Sequence, residues 1–159
     1  MKTGVIFGKF YPLHAGHQNL IDTALSQVDL LTIVVTGKKG QIIKPQIRGG
    51  WLKKIYPQVK IKVIVHNIAD DDDETWAKKT PIWLGYKPDI IFTSAEKWGD
   101  HFAKLTKAKH VVVDKGRKKN PISATMIRKN PKKYLNYLHP IVQKYFKNKN
   151  FEKIDEKIL

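Results

Sequence analysis

Val5-Ile6-Phe7-Gly8-Lys9-Phe10-Tyr11-Pro12-Leu13-His14-Ala15-Gly16-His17 passes from an apolar triplet, through two glycines, a cation, a proline and two histidines, into the helical-looking segment Gln18 to Gln27. An unbroken apolar triplet closed by a glycine turn is the pattern of a strand buried on both faces of a parallel sheet. Where such a strand feeds a helix through a tight turn, free backbone N–H groups and the positive end of the helix dipole meet at one point, which suits phosphate. Two imidazoles at that point suggest chemistry on the phosphate.

Downstream, Leu20, Ile21, Ala24, Leu25 and Val28 recur at helical spacing, and Leu30 to Val35 is a second buried strand closed by the loop signal Thr36 to Gly40. This βαβ unit implies a right-handed crossover. Gln46 to Tyr56 reads as a short helix stopped by Pro57, weakened at Gly49 and Gly50 by about 1 kcal/mol each against alanine. Val59 to Val65 is a third strand and Trp76 to Leu84 a helix despite Pro81. Pro88 to Ser94 turns into a fourth strand, Trp98 to Ala108 is helical, and Val111 to Asp114 is a fifth strand. Pro121 to Thr125 is a capping signal for a helix beginning near Thr125, and Leu135 to Tyr145 with Phe151 to Leu159 complete a helical C-terminus. The expectation is one α/β domain over residues 1–159, a doubly wound parallel five-stranded sheet with its ligand beyond the C-terminal strand ends. That rule aims at Gly8 to His17, Ser94 to Glu96, and Asp114 to Arg128.

Composition narrows the function classes. The chain has no cysteine, which excludes disulfides, a thiol nucleophile and a Cys-based zinc site, and fits a reducing compartment. No apolar run is long enough to span a bilayer and no signal-peptide core is present, so a cytoplasmic protein without a membrane partner is expected. A formal charge of +16 invites nucleic acid or a small polyphosphate. The lysines are spread along the chain without a basic tail or an Arg/aromatic stripe, which disfavours nucleic acid. The three arginines, Arg48, Arg117 and Arg128, are the more informative cations.

Two familiar phosphate loops are excluded. The turn lacks the glycine spacing and the hydroxyl after lysine of a Walker A loop, and it lacks the G-x-G-x-x-G dinucleotide fingerprint. What stands instead, Gly8-x-Phe10-x-Pro12-x-His14-x-Gly16-His17, resembles the signature of the HxGH nucleotidyltransferase superfamily. Ile122-Ser123-Ala124-Thr125-Met126-Ile127-Arg128 is similar to the same superfamily's I-S-x-T-x-x-R motif, which lies at a helix N-terminus. Ser123 and Thr125 hydroxyls, orphan N–H groups and a forked guanidinium together make an anion site. The resemblance implies a Rossmann-like enzyme that transfers a nucleotidyl group from a nucleoside triphosphate to a phosphate with release of pyrophosphate.

Over nearly its whole length, to about Lys147, the chain further resembles the adenylyltransferase domain of NadR-type and archaeal-type nicotinamide-mononucleotide adenylyltransferases. The likeness is carried by Gly8 to His14, Ser26 to Asp29, Arg48 with Trp51-Leu52, Pro88 to Ser94, and Val113-Asp114 through Arg117 to Arg128. It implies that ATP and nicotinamide mononucleotide are joined to NAD and pyrophosphate with Mg2+ as cofactor, and that His14 and His17 are catalytic. It implies further that Gly8, Lys9, Phe10, His14, His17, Arg117, Ser123, Thr125 and Arg128 meet ATP, and that Trp76 and Arg48 meet the mononucleotide, Trp76 by stacking on the nicotinamide ring. No protein ligand for the metal is assigned, and self-association is left open. NadR-type proteins carry a ribosylnicotinamide kinase domain after this one, which this length does not contain.

Ile47 and Gly50 depart from the family pattern, which has an acidic residue before the arginine and a basic or bulky one before the tryptophan. Trp83 is read as core, and so is Trp51 apart from its part in the likeness. Asp70 to Glu74 reads as a solvated acidic loop balancing the lysines, with positioning of Trp76 or of a magnesium ion as the alternative. The rival readings are a superfamily enzyme acting on phosphopantetheine, flavin mononucleotide or a polyol phosphate, and a nucleotide- or nucleic-acid-binding regulator without turnover.

Overall fold

The computed structural model describes residues 1–94 and 98–154. Alternating strands and helices run β1 (Thr3–Gly8), α1 (Ala15–Leu25), β2 (Leu30–Gly37), α2 (Pro45–Ile55), β3 (Lys60–Val65), α3 (Asp73–Leu84), β4 (Ile90–Thr93), α4 (Trp98–Thr106), β5 (Lys109–Val112), α5 (Ala124–Lys129) and α6 (Pro140–Lys149). All five strands pair in parallel in the order β3-β2-β1-β4-β5. The chain therefore winds outward from β1 to β3, crosses back through α3, and winds the other way through β4 and β5. The strand order reverses between β1 and β4, the switch point at which such sheets open a crevice.

Alternation along the strands divides the core. Ile6, Leu31, Ile33, Val35, Ile90 and Phe92 face one way, toward Ile21 of α1, Leu52 of α2 and Val142 of α6. Val5, Val34 and Ile91 face the other way, toward Leu84 of α3 and Phe102 of α4. Side chains of successive strand residues point to opposite faces, so buried runs such as Val5-Ile6-Phe7 feed both layers. Gly49, expected to weaken α2, instead lets that helix approach the sheet, because a Cβ there would lie 2.5 Å from Val63 Cγ2.

Three expected boundaries move for identifiable reasons. β5 covers Lys109–Val112 rather than Val111 to Asp114, since Asp114 turns into the left-handed region (φ 53°) and its carboxylate accepts from the N–H groups of Lys119 and Asn120. Leu135 to Tyr145 is not one helix: a single 3-10 turn spans Leu135–Tyr137, Leu138 is extended, and α6 starts at Pro140. Proline has no N–H to continue a preceding helix and biases the residue before it toward extended backbone, but it suits a first helical position. Asn150 ends α6 in the left-handed region with its N–H on Phe146 O, and Phe151 to Ile154 are not helical; the rest of the expected last helix, 155–159, lies outside the described residues. No described helix is long and apolar enough to cross a membrane.

Candidate active site

A cleft of about 360 Å³ opens at the switch point. The end of β1 and its turn give Phe7, Gly8, Lys9 and Phe10, β2 gives Thr36, and β4 gives Thr93 and Ser94. His17 from α1, Trp76 from α3 and Trp98 and Phe102 from α4 complete the walls, with Asp70 and Asp73 at the entrance to α3.

The two histidines are fixed by capping. His14 is the N-cap of α1, its Nδ1 accepting from the Gly16 N–H (3.0 Å), while His17 Nδ1 accepts from the His14 N–H (3.1 Å). The rings stack with centroids 3.8 Å apart, and Phe10 leans on His17 at 4.8 Å. Gly16 is required by this arrangement, since a Cβ would sit 2.8 Å from the His14 ring. Each Nδ1 is an acceptor, so in the neutral ring the proton resides on Nε2, which is left to donate. Burial, and then the nearby Arg117 guanidinium, lowers His14 to about 3. Burial first, then His14 and Arg117, holds His17 well below its ordinary value. Both imidazoles are neutral near pH 7, and His17 on the cleft wall presents a neutral donor at a helix N-terminus.

A stability prediction follows from these shifts. The folded values lie below the unfolded value near 6.5, so between the two the unfolded chain binds protons that the folded one refuses, and stability falls as pH falls. The contribution is complete above about 6.5 and drains below it, by up to about 1.4 kcal/mol per pH unit for each imidazole. Urea midpoints should therefore drop between pH 6.5 and 5, before most carboxylates protonate; a flat midpoint over that window would show that the buried rings take up protons without cost.

Lys9 reaches across the cleft mouth to Asp70 (3.1 Å). Both side chains are largely exposed, and such a pair contributes at most about 1 kcal/mol, so an incoming polyphosphate can displace the carboxylate cheaply. The acidic block is not a loose solvated loop. Asp72 caps α3 through the Thr75 N–H and hydroxyl, Asp73 meets His101 Nδ1 at 2.7 Å, and the Trp76 indole donates to Ala69 O at 3.0 Å. The block thus starts α3 three residues before the expected Trp76 and sets the indole edge-on to Phe7 and His66.

Of the residues singled out in the sequence, Gly8, Lys9, Phe10, His17, Trp76 and Ser94 meet at the cleft, and His14 lies beneath His17. Glu96 lies outside the described residues. Ser123, Thr125 and Arg128 stand behind the first motif and do not line the cleft. Ser123 caps α5 through the Met126 N–H, and Arg128, 6 % exposed, donates to Tyr11 O (2.7 Å) and Thr125 Oγ1 (3.2 Å), tying α5 to the histidine turn. Arg117 is exposed, with one guanidinium N–H on Ile122 O.

Arg48, expected to touch the mononucleotide, is 0 % exposed and does not line the cleft. Its guanidinium donates to Lys9 O, Thr36 O, Ile43 O and Gln41 Oε1 and lies over the Tyr11 ring. Its place is under the site, holding the ends of β1 and β2. The sequence reading missed Thr93, Trp98, Phe102 and Asp73 as cleft residues. The available signal was the switch-point rule itself, which makes the last residue of β4 and the helix after it cleft residues whatever their type.

No protein-family model matches the chain. It is 31 % identical over 166 aligned positions, 90 % of its length, to the trifunctional NAD biosynthesis/regulator protein NadR of Escherichia coli K12, and spans 40 % of that relative. A crystal structure of NadR protein in complex with NAD and AMP-PNP superposes with a TM-score of 0.69 at 20 % identity, covering 91 % of this chain and 46 % of that one. A bifunctional NMN adenylyltransferase/ADP ribose pyrophosphatase from Francisella tularensis superposes at 0.63 and 15 % identity, over 99 % and 44 %. These likenesses support a nucleotidyltransferase-superfamily domain, and the superposed structures share its Rossmann-like sheet. Within that superfamily the likeness is to the NadR type, of whose curated members the chain spans 40 %.

Proposed function

We propose that this domain transfers an adenylyl group from ATP to nicotinamide mononucleotide, forming NAD and pyrophosphate. The reading is carried by one observation: a neutral imidazole donor at a helix N-terminus and an aromatic wall built on Trp76 share a single cleft. It is supported by the NadR likeness and by the NAD and AMP-PNP bound in the superposed NadR structure.

In the reaction a phosphate oxygen of the mononucleotide attacks the α-phosphorus of ATP, and the α–β bridging P–O bond breaks, its electron pair leaving with pyrophosphate. No side-chain nucleophile or obligatory proton transfer is needed, so the protein's part is alignment and charge stabilisation. His17 Nε2–H, at the N-terminus of α1, faces the transferring phosphate, and Lys9, freed from Asp70, neutralises the triphosphate with Arg117. Arg128 acts from behind, by fixing the turn through Tyr11 O, and Ser123 starts the helix that carries it. The triphosphate would bring any Mg2+ with it, and the ion would supply neutralisation of the charge on the phosphates. The described residues include no cluster of three or more His, Asp or Glu able to cage it, and the roles given to the chain's own groups stand without it.

A pyrophosphate-release assay over a panel of phosphate acceptors tests the reading, with turnover on phosphopantetheine, flavin mononucleotide or a polyol phosphate as the outcome against it. Trp76→Ala sharpens it. Stacking of a base or a cationic ring on an aromatic face contributes about 1–3 kcal/mol, so KM for nicotinamide mononucleotide should rise about tenfold or more while KM for ATP changes little. An equal rise in both would show that Trp76 only holds the wall together.

A further inference from the structure

Three residues from neither motif form a hydrogen-bonded chain ending at the cleft. Thr93, 3 % exposed, lines the cleft at the end of β4. Its Oγ1 lies 2.6 Å from His110 Nε2, and His110 Nδ1 lies 2.7 Å from Asp100 Oδ1. His110 is paired with Ile91 in the β4–β5 register and shares the face on which α3 and α4 pack. Space for its ring is made by α4: a Cβ on Gly99 would lie 2.4 Å from the imidazole. The ring is sequestered at 7 % exposure while Asp100 reaches solvent at 81 %.

The chain has a direction. The His110 hydrogen bond is the largest cause holding the Asp100 carboxyl below its ordinary value, so Asp100 is ionised and can only accept, and Nδ1 of His110 carries the proton. In the neutral ring Nε2 is then an acceptor, and Thr93 must spend its single hydroxyl proton on it. What Thr93 offers the cleft is oxygen lone pairs. Trp76, Trp98, Phe7 and Phe102 line the same cleft, so this acceptor shares its lining with aromatic side chains as well as with Asp73 and Ser94.

On the reading of the reaction given above, we propose that Thr93 selects the carboxamide of nicotinamide mononucleotide over the carboxylate of nicotinate mononucleotide, with His110 and Asp100 as the positioning residues that fix its hydroxyl as an acceptor. The amide NH2 of the carboxamide is a donor that meets this oxygen. A carboxylate places oxygen against oxygen. A site built to pair a ligand N–H discriminates strongly against an analogue lacking it.

The test compares kcat/KM for the two mononucleotides, using the full chain. The wild type should favour nicotinamide mononucleotide by about tenfold or more. Thr93→Val should bring the ratio close to one, and Thr93→Ser should keep it. His110→Phe frees the hydroxyl to donate, so it should raise kcat/KM for nicotinate mononucleotide in absolute terms, a gain that damage to the fold cannot produce. A wild-type ratio near one, or a ratio unmoved in Thr93→Val, overturns the selection. A His110→Phe protein without that gain overturns the positioning role. Pyrophosphate release with neither pyridine mononucleotide, but with another acceptor, overturns the parent reading and this inference together.

Discussion

His17→Ala is expected to lower kcat for pyrophosphate release by about 10²–10³, the loss that follows removal of one preorganised donor to developing phosphate or oxyanion charge. The expectation comes from where the ring's hydrogen bonds go. Its Nδ1 is occupied by the His14 N–H at 3.1 Å, so the ring cannot turn, and its Nε2–H is the group left to face a ligand. Burial and its two cationic or imidazole neighbours keep it neutral, so its contribution is a dipole aimed in advance rather than a charge or a shuttled proton. The rate should accordingly show no titration of this group near pH 6.5. The fold should survive, because the variant loses one reciprocal capping bond, a matter of about 1 kcal/mol, and the His14 cap on Gly16 persists. A variant with wild-type turnover would remove His17 from the chemistry. His14→Ala should differ in kind, since His14 lies under its neighbour and caps α1: its first effect is on the urea midpoint, and turnover falls only as the His17 ring loses the surface it stacks on.

The fold was legible because parallel strands buried on both faces announce themselves as unbroken apolar runs, and Val5 to Phe7, Leu30 to Val35 and Ile90 to Phe92 all became strands of the sheet. The short edge strand β5 was placed two residues late for the opposite reason. Its two valines, Val111 and Val112, are partly exposed or exposed, and its pairing stops at Thr93↔Val112, which local hydrophobicity does not encode. The histidine turn was legible as a motif, but the division of labour inside it was not, since spacing cannot say which of two rings lies on top. Thr93, His110 and Asp100 are brought together by strand register and by the missing Cβ of Gly99, features of assembly that leave no local pattern. The acidic block misled because four aspartates in a row look solvated, whereas Asp72 caps α3 and Asp70 and Asp73 line the cleft.

Arg48→Met should destabilise the protein by about 2–4 kcal/mol, and the reason was present in the sequence although it pointed away from the role expected. Arg48, Trp51, Leu52 and Ile55 fall at helical spacing on one face of α2, and an arginine on an otherwise apolar face is headed for the interior. There burial lowers the guanidinium to about 10, a cost tolerated because its N–H groups satisfy four oxygens. Two of these, Lys9 O and Thr36 O, belong to the ends of neighbouring strands, and Ile43 O and Gln41 Oε1 belong to the loop before α2. Methionine fills similar volume and removes the buried charge, which by itself is favourable, but it leaves these acceptors in a site closed to water, at about 1–3 kcal/mol for each that finds no partner. Arg48→Lys keeps the charge but cannot reproduce the fork, and should fall between the two in urea midpoint. Because Lys9 lines the cleft, KM for ATP should rise in the folded fraction of the methionine variant. An Arg48→Met protein of normal midpoint that has lost only mononucleotide affinity would return Arg48 to the ligand; a lowered midpoint with both substrates affected fixes it as the clamp beneath the histidine turn.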